Sequence, residues 1–195
     1  PELFYARKNQ RHTTKPMKGT AQRQADPQKD AEVAERLRTD PKQRAENLMI
    51  VDLLRNDLSR VCAAGSVQVP ALFHIESYPT VHQMTSTVTG VLADGTDSVD
   101  VIRALFPCGS ITGAPKIRAM QVVEELENAS RGIYCGSIGR IDANGEAAFN
   151  VAIRTFTVCD ATKSLSLGLG SGIVADSHEA DEWAECLAKG DFAKL

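Results

Sequence analysis

The stretch from Ser66 to Leu92 constrains the fold most: SVQVPALFHIESYP and TVHQMTSTVTGVL follow one another, both rich in β-branched residues. Such side chains are stiff at χ1 and pack well on a pleated surface, so both segments are predicted as strands, ended by the turn at Asp94-Gly95. Further strands are expected in GIYCGSIGRID, in EAAFNVAIRTFTV after the Asn144-Gly145 turn, and in SLSLGLGSGIV. The opening PELFYARKN reads as a strand already in progress, and the expectation is a fragment whose preceding part would supply sheet partners.

Helices are expected between the strands. Asp26 to Arg38 is charged, with Val33 and Leu37 four apart, and reads as an exposed helix without a strong apolar face. Asp40 followed by Pro41 is a cap and a first-turn proline, opening a helix to about Asp57 with Met49, Ile50, Leu53 and Leu54 as its buried stripe. Helices are also expected over Asp97 to Leu105, Pro115 to Leu126 and Ser177 to Leu187, with PCGSITGAPK as a glycine-punctuated loop. Antiparallel strand pairs interspersed with helices give an α+β fold, and at 195 residues with 43% apolar content one domain, residues 1–195, is the default reading.

Several function classes are disfavoured. The 22 Lys and Arg against 25 Asp and Glu are scattered rather than gathered in a basic stripe, which argues against nucleic acid. No apolar run approaches the roughly 20 residues that cross a bilayer, so no membrane association and a cytoplasmic location are expected. Five well-separated cysteines without a CxxC pair fit reduced thiols, so a bound metal must be held by oxygen. None of His12, His74, His82 and His178 falls in a known nucleophile motif, and no triad is indicated.

Four features could carry chemistry. Glu46 on one helix, with Glu182 and Glu185 three apart on another, could supply the hard oxygens that Mg²⁺ prefers; spacing alone favours solvated helix glutamates. Gly168, Gly170 and Gly172 alternate before the last helix and clear one face of a strand, for a ligand or for tight packing. Arg154, expected inside the apolar strand AIRTF, needs an acid or an anionic ligand beside it. Lys18 in PMKGT is on its own an ordinary lysine, which becomes nucleophilic only as the neutral amine.

Taken together, PELF, PMKGT, RAENLMIVDLLRND, GSITGAPKIRAM, RGIYCGSIG, the IRT of AIRTF and GSGIVADS with Glu182 and Glu185 resemble the chorismate-binding enzymes, nearly end to end and in the family's order. The resemblance implies antiparallel sheets flanked by helices around a cleft, here the C-terminal catalytic portion. It implies Glu46 and Glu185 as magnesium ligands with Glu182 close by, and Tyr134 and Arg154 gripping the enolpyruvyl carboxylate of chorismate. Gly170 and Gly172 would offer amides, Lys189 positive charge, and Gly19, Thr20 and Ser110 contacts to the ring or its carboxylate. Glu2 matches the family's general acid.

Within the family the motifs are most similar to the branch that makes aminodeoxychorismate, because anthranilate synthases usually carry alanine where Lys18 stands. In that branch lysine is held to attack ring carbon 2 before ammonia, from a glutamine amidotransferase, adds at carbon 4. Anthranilate synthesis, water-adding isochorismate or salicylate synthesis, and a non-catalytic chorismate-binding or amidotransferase-partner module are the alternatives. Two positions depart from the family pattern: Gln43 stands where glutamate is general, and Gln83 where histidine is common, with His82 expected on the opposite strand face.

Overall fold

The two strands expected between Ser66 and Leu92 form the axis of the sheet. In the computed structural model, which describes residues 2–193, they are β4 (Gln68–Ser77) and β5 (Val81–Val91), paired antiparallel. Before them come β1 (Leu3–Lys8), β2 (Arg11–Lys15) and β3 (Met17–Gln22); after them come β6 (Ser137–Ile141) and β7 (Ala147–Val151). β5 is long enough to pair twice along its other edge, with β3 from Met17↔Thr85 to Gln22↔Val81 and with β2 from Arg11↔Val91 to Thr14↔Val88. Pro16, which has no N–H to give a ladder, falls at the junction, and its carbonyl accepts from the Ser86 amide at 3.1 Å. β2, β1, β7 and β6 then follow in antiparallel order, as the α+β reading requires.

Helix starts fall where the capping residues stand. Asp26 accepts from the Gln28 and Lys29 amides at the head of α1 (Pro27–Thr39), and Asp40 accepts from the Gln43 amide at 2.8 Å to open α2 (Pro41–Ser59). Asp97 and Asp100 form a reciprocal capping box on α3 (Ser98–Leu105). A short α4 (Gly109–Thr112) lies inside the glycine-punctuated segment, followed by α5 (Lys116–Leu126), the hairpin β8 (Phe156–Cys159) and β9 (Ser164–Leu167), and α6 (Glu179–Lys189). No helix among the described residues is long and apolar enough to cross a membrane.

Phe4 and Tyr5 of β1, Val88 of β5 and Val151 of β7 cluster with Ile50, Val51, Leu54 and Leu58 of α2 and Val101 and Leu105 of α3. Burying a side chain of this size stabilises by roughly 1.5–3 kcal/mol. The stripe on α2 differs from expectation: Met49 is exposed and Leu53 only half-buried, while Asn47, Val51 and Leu58 are inside. The helix is rotated by one residue because the 47-50-51-54-58 set, with 3.6-residue periodicity, includes Asn47, whose amide oxygen accepts from the Ser86 hydroxyl on β5 at 2.5 Å.

Three strand expectations are corrected. EAAFNVAIRTFTV is not one strand: β7 ends at Val151, the buried Ala152 and a tight Ile153-to-Val151 backbone bond turn the chain, and Arg154 takes φ +51 before β8 starts. The Tyr134 segment is a turn, with Gly132 at φ +58 and Cys135 at φ +64, and β6 begins only at Ser137. Residues 168–174 leave β9 and form irregular backbone, because Gly168 and Gly170 pack on Tyr134 instead of on a neighbouring strand. β2 and β3 were not separately legible in the sequence.

α1 is anchored to the sheet by one carboxylate. Asp30 accepts from both its flanking partners on the β3 exit, Arg23 Nε (2.9 and 3.0 Å) and the Gln24 amide (2.8 Å), and lies 2.9 Å from His82 Nε2 on β5. Arg23, then the Gln24 amide and His82, hold the Asp30 carboxyl well below the usual carboxylate range. His82 Nδ1 is 2.9 Å from the Ser77 hydroxyl, so this serine–histidine–aspartate chain clamps α1, β4 and β5, and His82 and Gln83 do serve opposite faces.

His12 is fully buried beside Tyr5 (centroids 5.7 Å), with neither ring nitrogen partnered among the described residues, and burial pushes it down to about 4 from 6.5. A depressed folded value means the stability it permits is present above 6.5 and is lost as pH falls through about 4. The loss is expected to reach about 3 kcal/mol. Urea midpoints of the full chain at pH 7 and pH 4 should therefore diverge less in His12→Phe than in the parent; equal divergence would contradict this.

Candidate active site

The site is built around a break in the β3–β5 ladder. Met17 pairs with Thr85 but Thr20 with Gln83, so β3 holds one extra residue there, a bulge carrying Lys18 and Gly19. Gly19 has φ +86, and a Cβ on it would lie 3.0 Å from both Leu37 Cδ1 and Gln43 Oε1, so conformation and space both require glycine. The bulge directs Lys18 to α2, where its Nζ is 3.2 Å from Glu46 Oε2, both side chains being largely buried. Gly172 gives the amine room: a Cβ there would sit 2.8 Å from Nζ.

Glu2 stands immediately before β1, 5% exposed, with Oε1 unpartnered among the described residues. Burial pushes its carboxyl up to about 7 from 4.5, against the pull of the Ser110 hydroxyl, the Met17 backbone and the Lys18 charge. These interactions put Glu2 beside Ser110 of α4 and next to the bulge. Ser110 Oγ is also 3.2 Å from Cys108 Sγ, whose thiol is pushed up to about 12 by burial and by Glu2. A buried ion pair between Lys116 and Asp57 (2.5 Å), with Lys116 also donating to the Leu105 carbonyl at 3.0 Å, fixes this segment to α2.

The glycine segment forms the opposite wall. A Cβ at Gly168 would run into the Tyr134 ring and one at Gly170 would sit 2.7 Å from its hydroxyl, so these glycines let backbone lie flat on the phenol. Lys189 Nζ donates to the Gly170 carbonyl (3.0 Å) and pairs with Glu185 (2.6 Å). Glu182 accepts from the Ser177 hydroxyl at 2.6 Å, and the Ser171 and Ser177 hydroxyls, with Lys42 and Lys189 nearby, hold it below the usual range.

Lys18, Glu2, Gly19, Thr20, Ser110 and Glu46 are thus joined through contacts to Gly172, Gly170, Tyr134, Lys189, Glu185 and Glu182. Arg154 is the exception: exposed, outside any strand, and without a hydrogen bond or ion pair among the described residues. The three expected metal ligands are not gathered into one cluster, and among the described residues no group of three potential ligands is. Each is engaged separately, Glu46 with Lys18, Glu182 with Ser177 and Glu185 with Lys189. Their chemistry nonetheless fits a hard cation, since Glu182 Oε2 is buried without a partner among the described residues and magnesium takes only one or two protein carboxylates beside water and an anionic ligand.

Residue-level reading passed over Lys42, Ser171, Ser177 and the role of Gln83. Lys42 could have been found, four residues before Glu46 on the same helical face.

A family profile described as chorismate binding enzyme matches residues 1–194. The chain is 48% identical over 189 residues to aminodeoxychorismate synthase component 1 of Salmonella typhimurium, covering 97% of this chain and 41% of that protein. It is 44% identical over 189 residues to anthranilate synthase component 1 of Streptomyces coelicolor, covering 97% and 37%. The crystal structure of anthranilate synthase component I from Streptococcus pneumoniae superposes with a TM-score of 0.83 at 35% identity, over 97% of this chain and 41% of that one. The chain thus spans about two fifths of the length of these relatives. Profile, sequence relatives and fold agree: this chain belongs to the chorismate binding enzyme family.

Proposed function

We propose that this chain is the catalytic C-terminal portion of an enzyme that aminates chorismate to 4-amino-4-deoxychorismate. The observation that carries the reading is the meeting of an amine and an acid: Lys18 Nζ, seated between Glu46 and Gly172, lies within electrostatic reach of a buried carboxyl poised at about 7. Replacing a ring hydroxyl by nitrogen needs both a nucleophile and a proton for the departing oxygen.

In this reading Lys18 Nζ, as the neutral amine held beside Glu46, forms a bond to ring carbon 2 and gives up one proton to water. The ring double bonds shift, and the carbon 4 hydroxyl leaves as water with the proton of Glu2. Ammonia then bonds to carbon 4, the double bonds return, and the lysine is released. Lys189 and the tyrosine–glycine wall bind the carboxylates of the substrate dianion, which a chain of net charge −3 must compensate locally. Glu46, Glu182 and Glu185 would hold magnesium, which when bound supplies charge neutralisation for the ring carboxylate. The designation of relatives as component 1 supports a partner component, here a glutamine amidotransferase supplying ammonia. Five free cysteines accord with a cytoplasmic location.

Identity to an anthranilate synthase component keeps one alternative specific. Full-length protein given chorismate, ammonium and Mg²⁺ is expected to yield aminodeoxychorismate on chromatography; anthranilate with pyruvate would overturn the proposal.

A further inference from the structure

The Lys18 amine is aimed by a bulge whose geometry depends on one side-chain amide. Gly19 sits at φ +86, and a glycine has no Cβ to restrict it, so its peptide can reorient at little steric cost unless something holds it. Because the ladder slips between Met17 and Thr20, no regular pairing holds it from β5. Gln83, 7% exposed on β5, fills that gap: its Nε2 donates to the Gly19 carbonyl at 2.7 Å, and its Oε1 accepts from the Thr20 hydroxyl at 2.9 Å. A carbonyl can only accept, so the Gly19 contact fixes which way round the amide stands. Leu37 and Gln43 close off the space that a Cβ on Gly19 would take.

We infer that Gln83 is a positioning residue for the amination reaction: its amide clamps the Gly19–Thr20 segment of the bulge and thereby sets the direction of the Lys18 amine toward the substrate. The inference rests on the proposed role of Lys18 as nucleophile. The clamp touches no reacting atom: it holds the Gly19–Thr20 peptide and reaches Lys18 through the Gly19 backbone. It also has no titratable proton, so the aim of Lys18 stays constant through the pH range in which Glu2 titrates. Among side chains of this length glutamine alone supplies an uncharged donor and acceptor together: methionine supplies no donor, and glutamate sets a second acceptor against the Gly19 carbonyl.

The test compares Gln83→Met, Gln83→Glu and Lys18→Arg in the full-length protein with chorismate, ammonium and Mg²⁺. A nucleophile displaced by about 1 Å loses on the order of 10²-fold in rate, so both Gln83 variants are expected to lose about 10- to 100-fold in kcat with KM for chorismate changed less than about threefold. The kcat/KM fall near pH 7 should stay where it is in the parent, which a general loosening of the site would not preserve. Should one Gln83 variant fail to fold by circular dichroism, the other carries the test, because they share only the loss of the donor. Parent-like kcat in a folded Gln83 variant, or a loss confined to KM, overturns the positioning role. Full turnover by Lys18→Arg overturns instead the nucleophile reading on which it rests, so the two failures are told apart.

Discussion

Glu2→Gln is expected to lower kcat/KM for chorismate by about 10²- to 10⁴-fold and to abolish its fall above neutral pH. The substitution keeps the shape of the side chain and removes its proton. In the proposed mechanism the carboxyl poised at about 7 is the acid for the departing hydroxyl, so kcat/KM should decline as pH rises through that value. The substitution should move stability the other way. A folded value raised from 4.5 to about 7 gives a contribution fully present below 4.5 and lost as pH rises through about 7. Above that, the parent carries a buried carboxylate with one oxygen unpartnered among the described residues, whereas the variant carries a neutral amide. Urea midpoints at pH 8 should therefore favour Glu2→Gln by up to about 3 kcal/mol. A variant that is less active and less stable at pH 8 would assign Glu2 to structure rather than to acid catalysis.

The second large effect is expected at Lys18. Lys18→Ala should reduce aminodeoxychorismate formation on the order of 10³-fold or more, the scale seen when a covalent nucleophile is removed. Alanine also leaves Glu46, 16% exposed, without its cation, so lost activity there could follow from a disturbed α2. Lys18→Arg separates the two: guanidinium keeps the charge beside Glu46 and does not form the bond to carbon 2. Both variants should be inactive in steady-state assays, and Lys18→Arg should match the parent in thermal unfolding.

Legibility in the sequence follows the range of the interaction concerned. Local signals are read directly: the Asp26, Asp40 and Asp97 caps and the helices they open, and the Asp94-Gly95 and Asn144-Gly145 turns. Phase within an element is harder. The expected α2 stripe falls on Met49 because leucine, methionine and isoleucine run together through Leu48–Ile50, whereas the buried face is the one on which Val51 and Leu58 join the core and Asn47 reaches Ser86 on β5. Strand continuity fails at Arg154 and at residues 168–174, where packing on a distant turn, Tyr134 against Gly168 and Gly170, outweighs β-propensity.

The site divides in the same way. The candidates around Lys18 come from motifs, and the structure joins all but Arg154 through a few shared contacts. The direction of Lys18 cannot be read from PMKGT, because it is set by a slip in pairing with β5 and by a carboxylate on a separate helix. Nor does spacing reveal that Glu46, Glu182 and Glu185 are each engaged by a different partner.

The central claim is that Lys18 bonds to the substrate ring, and peptide mapping of quenched enzyme tests it most directly. Full-length protein mixed with chorismate and Mg²⁺ without ammonia, then acid-quenched and digested, should give a Lys18-bearing peptide heavier by one chorismate less one water. Lys18→Arg should give none, and adding ammonium before the quench should discharge the adduct. Protein that turns chorismate over with ammonium, yields no such peptide and keeps its rate as Lys18→Arg would contradict the account.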